Sequence, residues 1–577
     1  MGVGRVQAKT GSLEALARAR FLDLEERVAE LRLVRAVPRN EVVDCGPIQG
    51  NDLSTAAKGW GKDREIRAEL IRWICVDRRA REEVDPEGIK VYGAKIVHPL
   101  ILDFVTVLFP LHLWRCLLTD NASLHFITMP ALDLAGSWLR SLLADGANIT
   151  GPVFLRSGFR AEGEVRLTDA QIGGTLDCSG ATFAPPSPKE VADTGAALNA
   201  SAIAVRSDIF LSHKFLAEGE VRLVGAQIEG DLDCSGGTFV NPSGSGLAVV
   251  ADRASVKRRV SFGDGFRAEG RISLLSARIG GSLNFGKVDL KSAILDLRNA
   301  SANSIVDNCR ESWPDQGKLY LDGFAYGGIP SGPRDAKTRL EWLRLQPEKP
   351  FSPQPYRQLA KVLSEAGDDD GARRVLVEMQ DRHWKLKDDH RWTDPLERWP
   401  LSIAVGYGYH PLWAFWEIVG LSTLGWVIYR RGYLAGNIVP VDKQAYASFR
   451  SDGRPPDHHT AFAPLVFSIE NSLPLVKLGQ GDKWQPEPSP KVAPFQQKSW
   501  PTALGPPRPR TKLSWSRCFL VYCGLEPDPN TEKLRSQPSR WLTSSKFLRW
   551  FLWFQILLGW LLATLFLAGV TGLVRNG

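Results

Sequence analysis

The sequence predicts a mainly β protein: a right-handed parallel β-helix, or solenoid, with a helical cap at its N-terminal end, a helical hairpin at its C-terminal end and two transmembrane helices. Three observations lead to this prediction. One motif is written three times, apolar and polar residues alternate within each copy, and two long apolar segments lie in the C-terminal part of the chain.

The repeated motif starts at Phe159, Phe215 and Phe266. Its copies read FRAEGEVRLTDAQIGGTLDCSGATF, FLAEGEVRLVGAQIEGDLDCSGGTF and, more loosely, FRAEGRISLLSARIGGSLNFG. Insertions such as APPSPKEVADTG separate the copies. A fixed framework that tolerates insertions at one point is typical of a repeat architecture, because a turn can lengthen without disturbing the stacked core.

Within one copy the residues alternate as they do in a strand. Val165 and Leu167 would share one face, and Glu164 and Arg166 the other. Glycines interrupt these runs too often for helices, so we predict the rungs of a β-solenoid over residues 88–305. We expect Leu176, Leu232 and Leu283 in its interior and Asp177, Asp233 and Asn284 in a solvated outer row.

Two of these motifs, LxGAxIxGxLDCSGATF and GFRAEGEVRL, resemble those of bacterial membrane-anchored β-helix proteins of the pentapeptide-repeat-like or bactofilin-like kind. The likeness runs from about Trp60 to the C-terminus. Some members of that group bear the name "membrane-associated oxidoreductase". The resemblance therefore implies a membrane anchor and makes redox activity an alternative function, but it carries over no redox-site residue.

Composition limits the function classes. The 577 residues are 44% apolar and 24% charged, which indicates several globular domains with a membrane contribution. A net charge of +8 is modest for this length; it suits an anionic membrane surface, and we expect no nucleic-acid partner. The 19 tryptophans crowd toward the C-terminal third, where aromatic belts at a membrane interface are expected.

The eight cysteines form no CxxC motif. Cys178 and Cys234 occupy matching places in two copies, which puts them beyond the ~7 Å reach of a disulfide, so we predict small buried thiols in a reducing compartment. Cys518 and Cys523 are the one close pair, and we favour a structural role for them over a redox role. The N-terminus shows no secretory signal, which leads us to expect the N-terminal domains in the cytoplasm.

Helical modules are expected at both ends of the solenoid. Residues 1–87 form the predicted N-terminal cap, with Ser12 as the N-cap of its first helix. After a linker over residues 306–334, residues 335–390 resemble a tetratricopeptide-like hairpin that turns at Gly367; we predict that it closes the solenoid, with partner binding as the alternative.

The apolar stretch Ile96 to Leu118 is assigned to strands rather than to a transmembrane span, because charged residues and a proline interrupt it.

The predicted membrane region covers residues 391–577, with spans near 411–429 and 551–574. The orientation of the membrane region stays open. The missing signal places the solenoid in the cytoplasm and the 431–548 loop on the other side of the membrane. Basic residues favour the cytoplasmic side, however, and Arg430, Arg431, Lys546 and Arg549 lie beside that loop. Between the spans, the semi-apolar stretch Phe462 to Gly479 is expected to be re-entrant or interfacial.

No motif identifies catalytic, cofactor-binding or metal-binding residues, so we predict none. The sequence lacks GxGxxG, CxxCH, GxSxG, HExxH and P-loop patterns in the required context. The favoured prediction is a multi-pass scaffold in the bacterial inner membrane, held in the lipid bilayer, that binds a protein partner or a second copy through its solenoid. One alternative is the membrane-associated oxidoreductase. The other is a two-span channel, because two-helix channels also have a semi-apolar segment, like Phe462 to Gly479 here, between their two spans.

Overall fold

The computed structural model describes residues 12–46, 59–184, 196–241, 246–286, 288, 290–307, 312–386, 412–452, 455–456, 459–473, 476–488 and 542–571. The chain divides into two compact units, 1–386 and 387–577, and each is described by itself. The first unit is a parallel β-solenoid of about nine turns with helices at both ends. At about 4.8 Å per turn the column is roughly 40 Å long.

Each turn carries short strands on four faces, and strands of successive turns pair in parallel. The first face contains Val43–Asp44, Ile89–Tyr92, Leu111–Trp114, Leu132–Asp133, Val153–Phe154, Leu176–Asp177, Ile209–Phe210, Leu232–Asp233 and Val260–Ser261. The second contains Glu65–Arg67, Lys95–Val97, Leu117–Leu118, Trp138–Leu139, Arg160–Ala161, Thr182–Phe183, Leu216–Glu218, Thr238–Val240 and Arg267–Glu269.

The third face contains Leu100–Ile101, Ala122–Ser123, Leu142–Leu143, Val165–Arg166, Ala196–Asn199, Glu220–Arg222, Leu247–Val250, Arg271–Ser273, Ile294–Asp296 and Leu319–Tyr320. The fourth contains Thr128–Met129, Asn148–Ile149, Gln171–Ile172, Ala204–Val205, Gln227–Ile228, Ser255–Val256 and Ala325–Tyr326. The longer strands Arg278–Phe285 and Ser301–Asp307 run around the corner that joins the fourth face to the first.

The core is a set of apolar ladders, one behind each face. On the first face the residues in register are Ile89, Leu111, Leu132, Val153, Leu176, Ile209, Leu232, Val260 and Leu283, and each is buried. The three leucines that the sequence assigned to the interior therefore lie on one ladder. Cys178 and Cys234 are also buried, as unpaired thiols.

The solenoid extends beyond the predicted bounds 88–305. Strands Leu319–Tyr320 and Ala325–Tyr326 pair with the preceding coil, so the prediction of a linker over residues 306–334 is wrong. This stretch lacks the LDCSG motif but keeps the apolar alternation, with Leu319 and Leu321 both buried. At the other end, Glu65–Arg67 begins the second face inside the region predicted to be purely helical.

In its described residues the N-terminal cap contains four α-helices: α1 (Leu13–Arg20), α2 (Val28–Ala36), α3 (Ala68–Val76) and α4 (Arg78–Glu82). Ser12 is the N-cap of α1, as predicted, and its Oγ accepts a hydrogen bond from the Ala15 N–H at 3.3 Å. A buried ion pair joins this cap to the first strand of the second face: the fully buried Glu30 carboxylate on α2 accepts from the Arg67 guanidinium at 2.7 and 2.9 Å.

The C-terminal cap contains three helices rather than two: α5 (Ala336–Arg344), α6 (Gln354–Glu365) and α7 (Asp369–Leu386). Gly367, with φ of +86°, lies in the turn between α6 and α7. The fully buried Arg339 of α5 donates two hydrogen bonds of 2.7 Å to Asp307, the last residue of its strand, and the Trp313 Nε1–H donates to the same carboxylate.

The second unit contains helices α8 (Leu412–Leu434), α9 (Lys443–Asp452), α10 (Pro464–Ser472) and α11 (Ser545–Val570). Strands Ile438–Pro440 and Trp484–Pro486 form an antiparallel pair. Helices α8 and α11 are long and apolar enough to cross a membrane. They run antiparallel, because Gly432 near the end of α8 approaches Leu548 near the start of α11, while Ile418 packs with Leu562.

Candidate functional site

The repeated acids of the solenoid are turn-stabilising groups. Asp177 and Asp233 each accept a hydrogen bond from the backbone N–H two residues on, at 2.9 and 3.0 Å, and Arg156 donates to Asp177. Phe210 lies between them in the ladder, so the two carboxylates do not converge. Asp177 is largely covered rather than solvated, which corrects the expectation of an open outer row.

The described cysteines are buried, with no sign of activation. Burial raises the pKa of Cys45 to about 11 and the pKa values of Cys75 and Cys116 to about 12; it raises those of Cys178 and Cys234 as well. A thiol must ionise before it can attack a substrate or bind a metal, so these side chains are small core residues at neutral pH. Cys309, Cys518 and Cys523 lie outside the described residues.

One small, mainly apolar hollow is present in the part of the solenoid unit that the structure describes. It lies between the last coil and the C-terminal cap, beside Leu297, Trp313 and Trp342. Across the described ranges of the whole chain, no three His, Cys, Asp or Glu side chains are grouped so that they could hold a metal ion. A functional site of the solenoid is therefore best sought on its surface.

One corner of the early coils exposes stacked aromatic rings. Phe104 and Phe126 lie one coil apart with their ring centroids 5.3 Å apart and their planes 14° apart. Their exposed fractions are 76% and 57%, unusually high for phenylalanine. Gly146 occupies the equivalent place in the next coil, where a Cβ atom would overlap with the Phe126 ring. We call Phe104 and Phe126 the aromatic corner.

The backbone of the aromatic corner is strained. Phe104 and Phe126 have φ of 60° and 52°, in the left-handed region that costs a bulky residue about 1–2 kcal/mol. Later coils also have a positive φ at the equivalent turn position, where they carry Gly146, Asp169, Ala202, Gly225, Arg253, Ser276 and Asn299. The left-handed turn is thus a recurring part of the solenoid, and what distinguishes the aromatic corner is the exposure of both phenylalanine rings, which points to a binding role.

In the second unit, a buried polar cluster joins α10 to the two long helices. Gln555 of α11 accepts a hydrogen bond from the Tyr429 hydroxyl at 2.6 Å and donates to the hydroxyls of Ser468 and Ser472 at 2.9 and 2.7 Å. Ser468 in turn donates to the Ser422 carbonyl of α8 at 2.7 Å. Gln555 is fully buried, and its hydrogen bonds fix the position of α10 between the long helices.

Sequence reasoning missed both the aromatic corner and the polar cluster. A signal for the corner is present in the chain, since phenylalanine stands twice at a turn position where later coils carry small or polar residues. The cluster has no comparable signal, because Gln555 is one polar residue in an apolar helix and its partners are distant in sequence.

Comparison of the chain with protein-family models, with curated proteins and with solved structures finds no match.

Proposed function

We propose that this chain is a membrane-anchored interaction protein that binds a protein partner, or a second copy of itself, through the aromatic corner of its solenoid. The exposed Phe104–Phe126 stack is the observation that carries the proposal. Aromatic side chains dominate the binding energy of protein interfaces, and exposed apolar patches on otherwise polar surfaces mark interaction sites.

The rest of the solenoid suits such a role. Its interior is a continuous dry core, and helices cover both ends, so the corner sits on a rigid support. A rigid surface loses little conformational entropy when a partner binds. Helices α8 and α11 serve as the anchor in the bacterial inner membrane, and the solenoid lies on the cytoplasmic side, in keeping with its free thiols.

Replacement of both phenylalanines by glycine tests the proposal. Phe104→Gly with Phe126→Gly removes the rings while relieving the left-handed strain, so we expect the melting temperature to change by no more than about 3 °C. We expect recovery of the cross-linked partner from membranes to fall at least about tenfold, the equivalent of about 1.4 kcal/mol. Quantitative mass spectrometry after cross-linking and purification of the full chain measures this fall.

Leu22→Ala is the matched control, because Leu22 is 92% exposed at a site remote in sequence. It should leave recovery of the partner unchanged. Equal recovery by wild type and by the double-glycine variant would refute the role of the aromatic corner. The cytoplasmic location is checked separately by protease digestion, which should reach the solenoid in inverted vesicles and not in spheroplasts.

The oxidoreductase alternative finds no supporting feature among the described residues. It has a direct test in the visible absorption spectrum of the full chain purified in detergent. A stoichiometric flavin or haem band would show that an interaction role alone is an incomplete account of the function.

A further inference from the structure

Helix α10 enters between the two long helices from one end and stops near their middle. At its start, Phe467 packs on Tyr429 with ring centroids 4.9 Å apart. At its end, Gly559 of α11 lies against the Ser472 carbonyl, so close that a Cβ atom at Gly559 would overlap with it. Leu473, the next residue, packs among Leu558 and Leu562.

The chain then returns to the end from which it entered. The backbone N–H groups of Gly479, Gln480 and Gly481 donate to the Glu470 carboxylate at 3.2, 2.7 and 3.0 Å. The Gln480 side chain also bonds the backbone of Ala461 and Ala463, just before α10 begins. Residues 463–473 and 476–481 therefore form the two limbs of a re-entrant segment that reaches the middle of the spans and comes back.

The returning limb cannot face lipid. Val476, Lys477 and Leu478 are non-helical and exposed within the second unit. Hydrocarbon offers no hydrogen-bond partner to the backbone, so non-helical chain at membrane depth occurs only where protein covers it or water wets it. A lysine at that depth is costly against lipid and is typical of a polar pathway.

One copy supplies only part of the necessary enclosure. Helices α8 and α11 pack against α10, and the outer faces of the pair carry large exposed side chains such as Trp416, Trp553 and Leu557, which suit lipid. Two spans cannot surround a wetted segment, whereas identical copies in a closed ring bring their re-entrant segments to one axis.

We propose that copies of this chain form a closed ring in the membrane, with residues 476–478 of each copy lining a water-filled pathway for small inorganic anions. Anions are favoured because the full charge of Lys477 outweighs the charge of about −0.5 at the C-terminus of α10. Glu470 is half-buried, and its carboxylate is held by three backbone N–H groups of its own segment, whereas Lys477 is exposed to the proposed pathway. This inference rests on the second unit alone and is independent of the aromatic corner.

Thiol labelling of the full chain in lipid vesicles tests the proposal. Lys477→Cys, and Val476→Cys as a second position, should react with a water-soluble maleimide, because a thiol ionises and reacts in water. Leu557→Cys is the matched control: Leu557 is 70% exposed near the middle of α11 on the face assigned to lipid, and it should react at least about tenfold more slowly. Peptide mass spectrometry locates the label and separates it from the native cysteines.

The same cysteine variants in lipid also show whether copies of the chain assemble into a ring. Oxidation should link Lys477→Cys chains to one another and leave Leu557→Cys chains single, and mass measurement in lipid discs should give at least three copies. A monomer in lipid, or labelling of Lys477→Cys and Val476→Cys as slow as that of Leu557→Cys, would overturn the ring. If vesicles that hold the wild-type chain release chloride no faster than empty vesicles do, the pathway does not conduct and that part of the proposal is wrong.

Discussion

At the scale of single residues, neighbouring residues of one strand have different structural roles. Leu176 is fully buried in the first-face ladder, whereas Asp177 lies outside it and accepts from Ser179 and Arg156. Leu176→Asp places an unpaired charge in the dry core, so we expect the solenoid to unfold or aggregate. Asp177→Ala removes one turn hydrogen bond and one ion pair, and should cost about 1 kcal/mol.

Thermal unfolding of the full chain in detergent, followed by far-ultraviolet circular dichroism, compares the two variants. Asp177→Ala should melt a few degrees below wild type with its transition intact. Equal losses for the two variants would contradict the assignment of Leu176 to the interior.

At the scale of elements, a buried ion pair helps to attach the C-terminal cap to the solenoid. Arg339 of α5 is fully buried against Asp307, with its guanidinium 5.9 and 5.6 Å from the ring centroids of Trp313 and Trp342. Arg339→Ala leaves the Asp307 charge buried without its main partner, so we expect a loss of about 3–5 kcal/mol in the free energy of unfolding. Chemical denaturation of the full chain measures it.

Arg344→Ala is the control on the same helix. Arg344 pairs with Glu378 at the surface, where such a pair is worth less than about 1 kcal/mol. Adding Asp307→Leu to an Arg339→Met chain should restore part of the lost stability, because no charge then remains buried. If Arg339→Ala and Arg344→Ala behaved alike, the cap would not depend on this ion pair.

A second element, α10, is held in place by close approach to α8. At Gly425, a Cβ atom would overlap with Ser468 and Gln555, whereas at Gly420, five residues earlier on α8, it would meet open space. Gly425→Val should therefore displace α10 and cost about 1–3 kcal/mol, while Gly420→Val should change stability by less than about 0.5 kcal/mol. Tryptophan fluorescence during thermal unfolding in detergent would show equal melting of both variants if α10 did not pack there.

At the scale of the whole molecule, the sequence predicted the solenoid and the two apolar helices because both are periodic or local properties. The alternation around Val165 recurs in each copy, and a long uncharged run such as α11 needs no partner to be recognised. The same alternation continues through residues 319–326 without the LDCSG motif, so a prediction tied to the motif ended the solenoid too early.

The contacts that place the candidate sites are long-range, and the sequence alone did not reveal them. No local feature of the sequence indicates that Arg339 binds Asp307, that Glu30 binds Arg67 or that Gln555 binds Ser468. Each pair forms only when elements that are distant in sequence pack together. The aromatic corner depends on the positive φ of Phe104 and Phe126. This backbone conformation follows from the position of each residue in its turn. The stretch 462–479 was predicted to be re-entrant or interfacial, and nothing in its local sequence indicates that Glu470 binds the backbone N–H groups of Gly479, Gln480 and Gly481.

The covered ends of the column have a consequence for its behaviour at high concentration. Parallel strands with open edges act as templates for further strands, which is how amyloid fibrils grow. Here α2 and α5 are fastened to the first and last coils through Arg67 and Arg339, so helices stand at the two ends from which such growth would start. Crowding many copies in one bilayer should therefore leave each column at its own fixed length.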